Sequence, residues 1–279
     1  MSHAMATLLI DAGNTRIKFG LLRPGCAQRE PHSLALSHTE LGQLSAWLVE
    51  LRTRPDAAIG VSVASSAVTA DIADRLQSQY GIAVQWVRSE QRAGGVVNLY
   101  DEPAQLGSDR WVALVGLAGH TPHTALLASF GTATTVDTLA AAPAAGSERH
   151  FQGGVILPGP ELMLRSLANG TAQLPYAEGA TSGLPRNTHT AIRSGVVAAQ
   201  AGAVMRQWRA TLAALNTPPQ LYCAGGGWPL VAQEVADELA RCRAQLGLAP
   251  EPPIHLGAPV LDGLARLAGT LKSGPPTVR

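Results

Sequence analysis

The sequence predicts an α/β protein with two similar lobes. Apolar strand-like runs alternate with segments of helical periodicity, a pattern typical of α/β folds. A strand, a turn rich in glycine and hydroxyl residues, and a second strand occur at 7–22 and again at 125–139. The chain has 279 residues, which is enough for two domains of ordinary size. We therefore expect an N-terminal lobe over 5–120 and a C-terminal lobe over 121–272.

The elements of the first lobe follow from the spacing of its apolar residues. Two apolar runs flank an Asp-Ala-Gly-Asn-Thr turn, which predicts a pair of strands. Leucines at helical spacing over 41–51 predict the first helix. The predicted elements are strands 7–10 and 16–22, helix 41–51, strand 57–64, helix 69–80, strand 83–87, a loop over 88–107 and helix 109–119.

The second lobe repeats the same order of elements. An apolar run again leads into a turn of small and hydroxyl residues, and a proline at 160 is suited to the first position of a helix. The predicted elements are strands 126–128 and 136–139, a hairpin tip over 140–146, strand 153–157, a helix from 160, an irregular stretch over 169–186, helix 190–215, strand 220–224, a helix to about 242 and helix 259–271.

Composition excludes several classes of protein. Lys+Arg number 21 and Asp+Glu 20, so the net charge of +1 argues against nucleic-acid binding through a broadly basic surface. No apolar run reaches the ~18–20 residues of a membrane helix, and no signal peptide is evident. Residues 1–4 are expected to come from the expression vector, with Met5 as the natural start. Three widely spaced cysteines favour a reducing, cytoplasmic compartment over a disulfide framework.

The first turn has the chemistry of a phosphate-binding loop. Gly13 permits close approach of the backbone, and Asn14 and Thr15 offer hydrogen-bond donors. Only two lysines occur in the chain, and one of them, Lys18, follows this turn, the other being at position 272. Asp11 can hold Mg²⁺ directly or through water. The alternative is an ordinary hairpin turn, since Asn and Gly favour turns.

The second turn, over 129–135, places four hydroxyl residues and one glycine in a matching position. Phosphate binding is again one interpretation, and good strand-forming threonines are the other. A glycine triplet at 225–227 suits either a nucleotide base or ribose against the backbone, or a plain strand-to-helix turn. The sequence lacks a P-loop motif, a GxGxxG after the first strand, and histidine spacing typical of catalytic zinc.

The best catalytic candidates are Asp109 and Arg110, at the start of a predicted helix. Arg110 can bind an anionic substrate group, and Asp109 can accept a proton from a hydroxyl nucleophile during phosphoryl transfer. The alternative is an acidic residue favoured by the helix dipole together with a surface ion pair.

Taken together, these motifs resemble those of the type III pantothenate kinases, members of the acetate and sugar kinase/Hsp70/actin superfamily. The matches run in order across nearly the whole chain. They are Asp11-x-Gly-Asn-Thr-x-x-Lys18, Asn98-x-Tyr100, Gly107-Ser-Asp-Arg110, Gly131-Thr-Ala-Thr-Thr-x-Asp137, Gly153-Gly-x-Ile-x-Pro-Gly159, Asn187-Thr188, Gly225-Gly226 and Pro259-x-Leu-x-Gly-Leu264.

The resemblance implies two ribonuclease-H-like lobes of the actin-like ATPase type, an active site in the cleft between them, and a homodimer. It implies ATP-dependent phosphorylation of pantothenate, the first step of coenzyme A synthesis, with Asp109 as general base. Residues implied to bind ATP and Mg²⁺ are Asp11, Gly13, Asn14, Thr15, Lys18 and Thr132. Residues implied to line the pantothenate site are Tyr100, Gly107, Ser108, Arg110 and Thr188.

One position departs from the family pattern. The family often has an aspartate where this chain has Ser129, and that aspartate helps to bind a monovalent cation, K⁺ or NH₄⁺. A serine supplies a neutral oxygen, so we expect weaker cation dependence or a compensating ligand.

Two other functions remain open from the sequence. One is a related small-molecule kinase of the same superfamily. The other is a regulatory protein, such as a transcriptional accessory factor, that uses the fold to bind a partner. The balanced charge argues against direct contact with DNA, and the intact Gly-Ser-Asp-Arg motif favours catalysis.

Overall fold

A computed structural model describes residues 6–144 and 146–270, and the contacts within it divide the chain into two compact units. Unit one comprises 6–121, 146–149 and 259–270, and unit two comprises 122–144 and 150–258. The expected vector residues 1–4 and Lys272 lie outside the described residues. None of the helices in the described ranges is long and apolar enough to cross a membrane.

Unit one is built on a five-stranded sheet. Its elements are β1 (Ala6–Ala12), β2 (Ile17–Leu22), β3 (Leu34–Leu36), α1 (Gln43–Glu50), β4 (Pro55–Ser62), α2 (Ser66–Tyr80), β5 (Val84–Trp86), β6 (Arg92–Ala93), β7 (Val96–Asn98), a 3₁₀ turn (Pro103–Gln105) and α3 (Ser108–His120). The sheet order is β3-β2-β1-β4-β5, with β1, β4 and β5 parallel and β2 antiparallel to both of its neighbours. Leu8, Leu9 and Ile10 of the central strand are fully buried, so neither face of that strand meets solvent there.

Unit two repeats this arrangement. Its elements are β8 (Ala125–Phe130), β9 (Ala133–Leu139), β10 (Arg149–Pro158, of which Arg149 belongs to unit one), α4 (Pro160–Gly170), α5 (Thr188–Leu215), β11 (Gln220–Ala224), α6 (Trp228–Gln245) and β12 (Ile254–His255). Its strands lie in the order β10-β9-β8-β11-β12, with the same parallel and antiparallel relationships as in unit one. The prediction of an α/β fold with two similar lobes is confirmed.

The last helix, α7 (Pro259–Thr270), belongs to unit one, whereas the predicted C-terminal lobe over 121–272 includes these residues. Two glycines explain the packing of α7 on α3. A Cβ atom at Gly116 would lie 2.1 Å from the carbonyl oxygen of Pro259, and one at Gly263 would lie 1.9 Å from that of Val112. The two helix backbones therefore touch directly, which is possible only where side chains are absent.

Candidate active site

The first turn of unit one holds the predicted phosphate-binding residues at the end of β1. Asp11 and Lys18 are directly opposite each other in the β1–β2 pairing. The amide of Gly13 donates a hydrogen bond of 3.0 Å to the carbonyl oxygen of Arg16, which closes the turn. Asn14 and Thr15 are exposed at its tip, where their polar groups can reach a ligand.

Asp11 has an unusual electrostatic environment. Burial raises the pKa of its carboxyl from 3.8 to about 6, with Lys18 lowering this pKa and Asp109 raising it. A neighbour influences a pKa in this way only across a short distance, so the structure brings Asp11, Lys18 and Asp109 together. Two carboxylates beside one ammonium leave an excess of negative charge, which suits a bound divalent cation.

The loop before α3 is organised by Asn98, which is almost completely buried. Its side-chain nitrogen donates to the carbonyl oxygens of Glu90, at 3.3 Å, and Pro103, at 3.2 Å. Its side-chain oxygen accepts a hydrogen bond of 3.1 Å from the amide of Tyr100. Asn98 therefore fixes the backbone that presents Tyr100. Its motif was recognised from the sequence, but this role was not.

Asp109 and Arg110 lie in the first turn of α3. The guanidinium of Arg110, only 8% exposed, donates to the hydroxyl of Tyr100 at 3.0 Å. One carboxyl oxygen of Asp109 accepts a hydrogen bond of 2.8 Å from the amide of Arg110. A Cβ atom at Gly107 would lie 2.8 Å from that same oxygen, so glycine there leaves the carboxylate its room. Ser108 is the first residue of the helix and is partly exposed.

The second turn, in unit two, is held by backbone contacts to three glycines. The amide of Gly159 donates to the carbonyl oxygen of Thr132, and that of Gly227 to the carbonyl oxygen of Phe130, both at 2.9 Å. A Cβ atom at Gly159 would lie 2.0 Å from the oxygen of Gly131. Gly225 has a φ of +96° and an equally crowded Cβ position. These glycines therefore act first by letting neighbouring segments pack closely around the turn, whereas the sequence predicts at most a strand-to-helix turn for the triplet 225–227.

Gln200 is a structurally important residue of unit two that belongs to none of the sequence motifs. It is fully buried in α5, accepts a hydrogen bond of 2.6 Å from the hydroxyl of Thr134 and donates one of 2.8 Å to the carbonyl oxygen of Pro158. It thereby ties β9, which leads away from the second turn, to the end of β10. Its residue type gives no signal in the sequence, since α5 contains a second glutamine, Gln207, and burial cannot be read from residue type.

Three further predicted residues lie in unit two. Thr132 is exposed at its turn. Ser129 is partly exposed near the end of β8, paired with Thr135. Thr188 is exposed in the first turn of α5, where the side chain of Asn187 caps the helix by accepting a hydrogen bond of 2.9 Å from the amide of Thr190.

Comparison with known proteins identifies the family. The family model described as type III pantothenate kinase matches residues 7–210. The chain is 46% identical to a type III pantothenate kinase of Bordetella bronchiseptica over 275 residues, covering 97% of this chain and 99% of the relative. It is 47% identical over 268 residues to that of Aromatoleum aromaticum, covering 94% and 97%.

Among solved structures, a conserved putative Baf family transcriptional activator from Campylobacter jejuni matches with a TM-score of 0.53 and 17% identity. The match covers 94% of this chain and 98% of that one. At this level of identity the likeness shows a shared fold and carries no statement about function.

Proposed function

This chain belongs to the type III pantothenate kinase family, and we propose that Asp109 is the general base of its reaction. The enzyme transfers a phosphoryl group from ATP to pantothenate, with a divalent metal ion, in the first step of coenzyme A biosynthesis. The observation that carries the proposal is that Asp109 raises the pKa of Asp11, which links the proposed base to the phosphate-binding turn.

Asp109 fits the role of a base because one of its carboxyl oxygens is already fixed. That oxygen accepts the amide hydrogen of Arg110, which helps to hold the carboxylate in one orientation, and the other oxygen would accept the proton of the substrate hydroxyl. Phosphoryl transfer depends mainly on positioning and on charge stabilisation, so a rigid acceptor at the hydroxyl is more useful than a strong one.

Asp11 and Lys18 are proposed to bind the metal ion and the phosphates of ATP, respectively. Asp11 would hold Mg²⁺ directly or through water, Lys18 would neutralise phosphate oxygens as a compact charge, and the turn residues Gly13, Asn14 and Thr15 would donate hydrogen bonds. Mg²⁺ held there would help to neutralise the charge that develops during transfer. The described residues contain no cluster of three or more His, Cys, Asp or Glu suited to a metal, and Mg²⁺ held by one or two carboxylates and phosphates needs none.

Pantothenate is an anion, and Arg110 is proposed to bind its carboxylate. Arg110 is almost buried and its guanidinium is held by Tyr100. The side chain is therefore already ordered before the substrate binds, which lowers the entropy cost of binding. Gly107 and Ser108 would complete this side of the substrate site. In unit two, Thr188 is proposed to contact pantothenate and Thr132 to contact ATP.

Three finer properties are also proposed. Ser129 marks the position of a weak site for K⁺ or NH₄⁺. A homodimer is also proposed, in which a second copy would cover exposed apolar side chains of unit two such as Ile156, at 62%, and Leu184, at 85% exposure. Light scattering during gel filtration tests the dimer. A cytoplasmic location is supported by three unpaired cysteines.

The experiment that tests the base is Asp109→Asn in a pantothenate-dependent ADP-release assay. We expect kcat to fall by roughly 10²- to 10⁴-fold, with KM for both substrates changed far less. Asp101→Asn is the matched control, since Asp101 is an exposed acid in the neighbouring loop. Retention of full activity by Asp109→Asn would refute the proposed role.

A further inference from the structure

His38 contacts the phosphate-binding turn of unit one. Its Nε2 atom lies 3.0 Å from the carbonyl oxygen of Gly13. The topology explains this approach, because β3 runs antiparallel to β2 with Leu36 opposite Ile17. The residues that follow β3 therefore lie beside the turn that precedes β2. His38 and Gly13 are thus neighbours in space, although β2 and β3 separate them in the sequence.

The direction of this hydrogen bond is fixed by chemistry. A carbonyl oxygen only accepts, so Nε2 must carry the hydrogen, and both the neutral Nε2–H tautomer and the imidazolium can donate it. The segment that carries His38 is itself ordered. The carboxylate of Glu40 accepts hydrogen bonds from the amide of Ser37, at 3.1 Å, and from its hydroxyl, at 2.6 Å.

The contact also determines where the next amide points. The peptide bond between Gly13 and Asn14 is trans, so its C=O and N–H groups point in opposite directions. Holding the oxygen toward His38 therefore aims the Asn14 N–H away from His38. The neighbouring amide, of Gly13, is already engaged with the carbonyl oxygen of Arg16.

We propose that His38 is a positioning residue for ATP, which holds the Gly13–Asn14 peptide so that the Asn14 N–H donates to a phosphate oxygen. The inference rests on the proposed role of this turn in binding ATP phosphates. His38 itself contacts neither substrate. The hydrogen bond from His38 restricts rotation of this peptide plane in the free enzyme. ATP therefore does not incur the entropy cost of that restriction when it binds.

The test compares His38→Leu with His38→Gln, whose side-chain amide restores a donor at similar reach. We expect His38→Leu to raise KM for Mg·ATP by ~3- to 10-fold, the loss of about one hydrogen bond, with KM for pantothenate unchanged and kcat reduced less. His38→Gln should remain within about twofold of wild type, the spread expected when the bond is kept. His32→Leu is the control, since His32 is an exposed histidine of the preceding loop. Calorimetric titration with a non-hydrolysable ATP analogue provides a second measurement, and thermal unfolding confirms that each variant is folded.

Lys18→Met separates the two ways of failing. If Lys18→Met weakens ATP binding while His38→Leu does not, His38 has no positioning role and the function of the turn stands. If neither variant weakens ATP binding, the turn does not bind ATP phosphates and both proposals are wrong. A failure of His38→Gln to recover ATP binding also overturns the inference, because it shows that the donor is not what matters.

Discussion

The guanidinium of Arg110 donates a hydrogen bond of 3.0 Å to the hydroxyl of Tyr100, and its central carbon lies 5.8 Å from the centre of the tyrosine ring. The backbone of Tyr100 is in turn held by buried Asn98. One helix and the loop before it thus share a rigid polar connection. If Arg110 binds the carboxylate of pantothenate, Tyr100 positions the guanidinium and thereby the bound carboxylate.

Tyr100→Phe keeps the ring and removes only the acceptor of this hydrogen bond. We expect KM for pantothenate to rise roughly tenfold, since hydrogen bonds to charged groups contribute more than neutral ones, and KM for ATP to stay constant. Steady-state kinetics with each substrate varied in turn measures both. Tyr80→Phe loses a comparable hydrogen bond, to Ser45 in α1, and serves as control. A rise in KM for ATP alone would contradict the assignment of this loop to pantothenate.

Asp11→Asn should inactivate the enzyme and stabilise it at neutral pH. The pKa of Asp11 rises from 3.8 to about 6 on folding. At pH values between these two pKa values, the folded protein therefore binds more protons than the unfolded chain. The free energy of unfolding therefore falls as the pH rises through this window, and the penalty is complete above pH 6. Asparagine avoids this penalty, which amounts to at most about 3 kcal/mol.

Urea unfolding of both proteins at pH 7.5 and at pH 4 measures this effect. The stability advantage of Asp11→Asn should be largest at pH 7.5 and should nearly vanish at pH 4, where the aspartate is protonated in the folded state. Asp56→Asn, which alters an exposed acid of β4, should give no comparable advantage. An equal difference at both pH values would show that the aspartate is not penalised by burial.

The sequence predicted what depends on neighbours along the chain. Apolar runs and a Gly-Asn-Thr turn define the β1–β2 hairpin locally, and the matching turn in the second half revealed the repeat. Contacts between distant segments had no such signal. Nothing in the sequence shows that Gly116 and Gly263 let α3 and α7 pack together, so the predicted C-terminal lobe wrongly includes the residues of α7.

The same distinction applies to the candidate site. Asp109 and Arg110 were recognisable because charged residues at a helix start carry chemistry of their own. His38 and Gln200 act through contacts with backbone or buried polar atoms of other segments, and their residue types alone indicate nothing. The residues that hold a site in place are therefore harder to predict than those proposed to meet the substrate.

Gly159→Ala should disturb the second turn while leaving most of unit two folded. The added methyl group would lie 2.0 Å from the carbonyl oxygen of Gly131, far inside contact distance, so the turn must shift. We expect KM for ATP to rise at least roughly tenfold, since displacement of a ligand-binding turn by even about 1 Å is costly. Gly202→Ala in α5 is the control, because a Cβ atom there would meet no other segment of the chain within 4 Å. This change should stabilise the helix by up to about 1 kcal/mol and leave ATP binding unchanged. Equal kinetics for the two variants would dissociate this turn from ATP.

Ser129→Asp should strengthen the response to monovalent cations. Ser129 pairs with Thr135 on one side and Ala224 on the other, so its strand neighbours supply no negative charge. A carboxylate there would add Coulombic attraction for K⁺ or NH₄⁺. We expect the wild type to need high KCl or NH₄Cl for full activity, and Ser129→Asp to reach half-saturation at a several-fold lower concentration, corresponding to about 1 kcal/mol.

Ser129→Asn separates charge from size in this experiment, and it should behave like the wild type because its side chain adds bulk and a neutral oxygen only. Activity titrated against KCl, NH₄Cl and NaCl at constant ionic strength distinguishes specific binding from screening. Saturation of the wild type at low millimolar K⁺ would show that other groups already provide a strong site. In that case the serine is compensated elsewhere in the chain, and Ser129→Asp should bring no further gain.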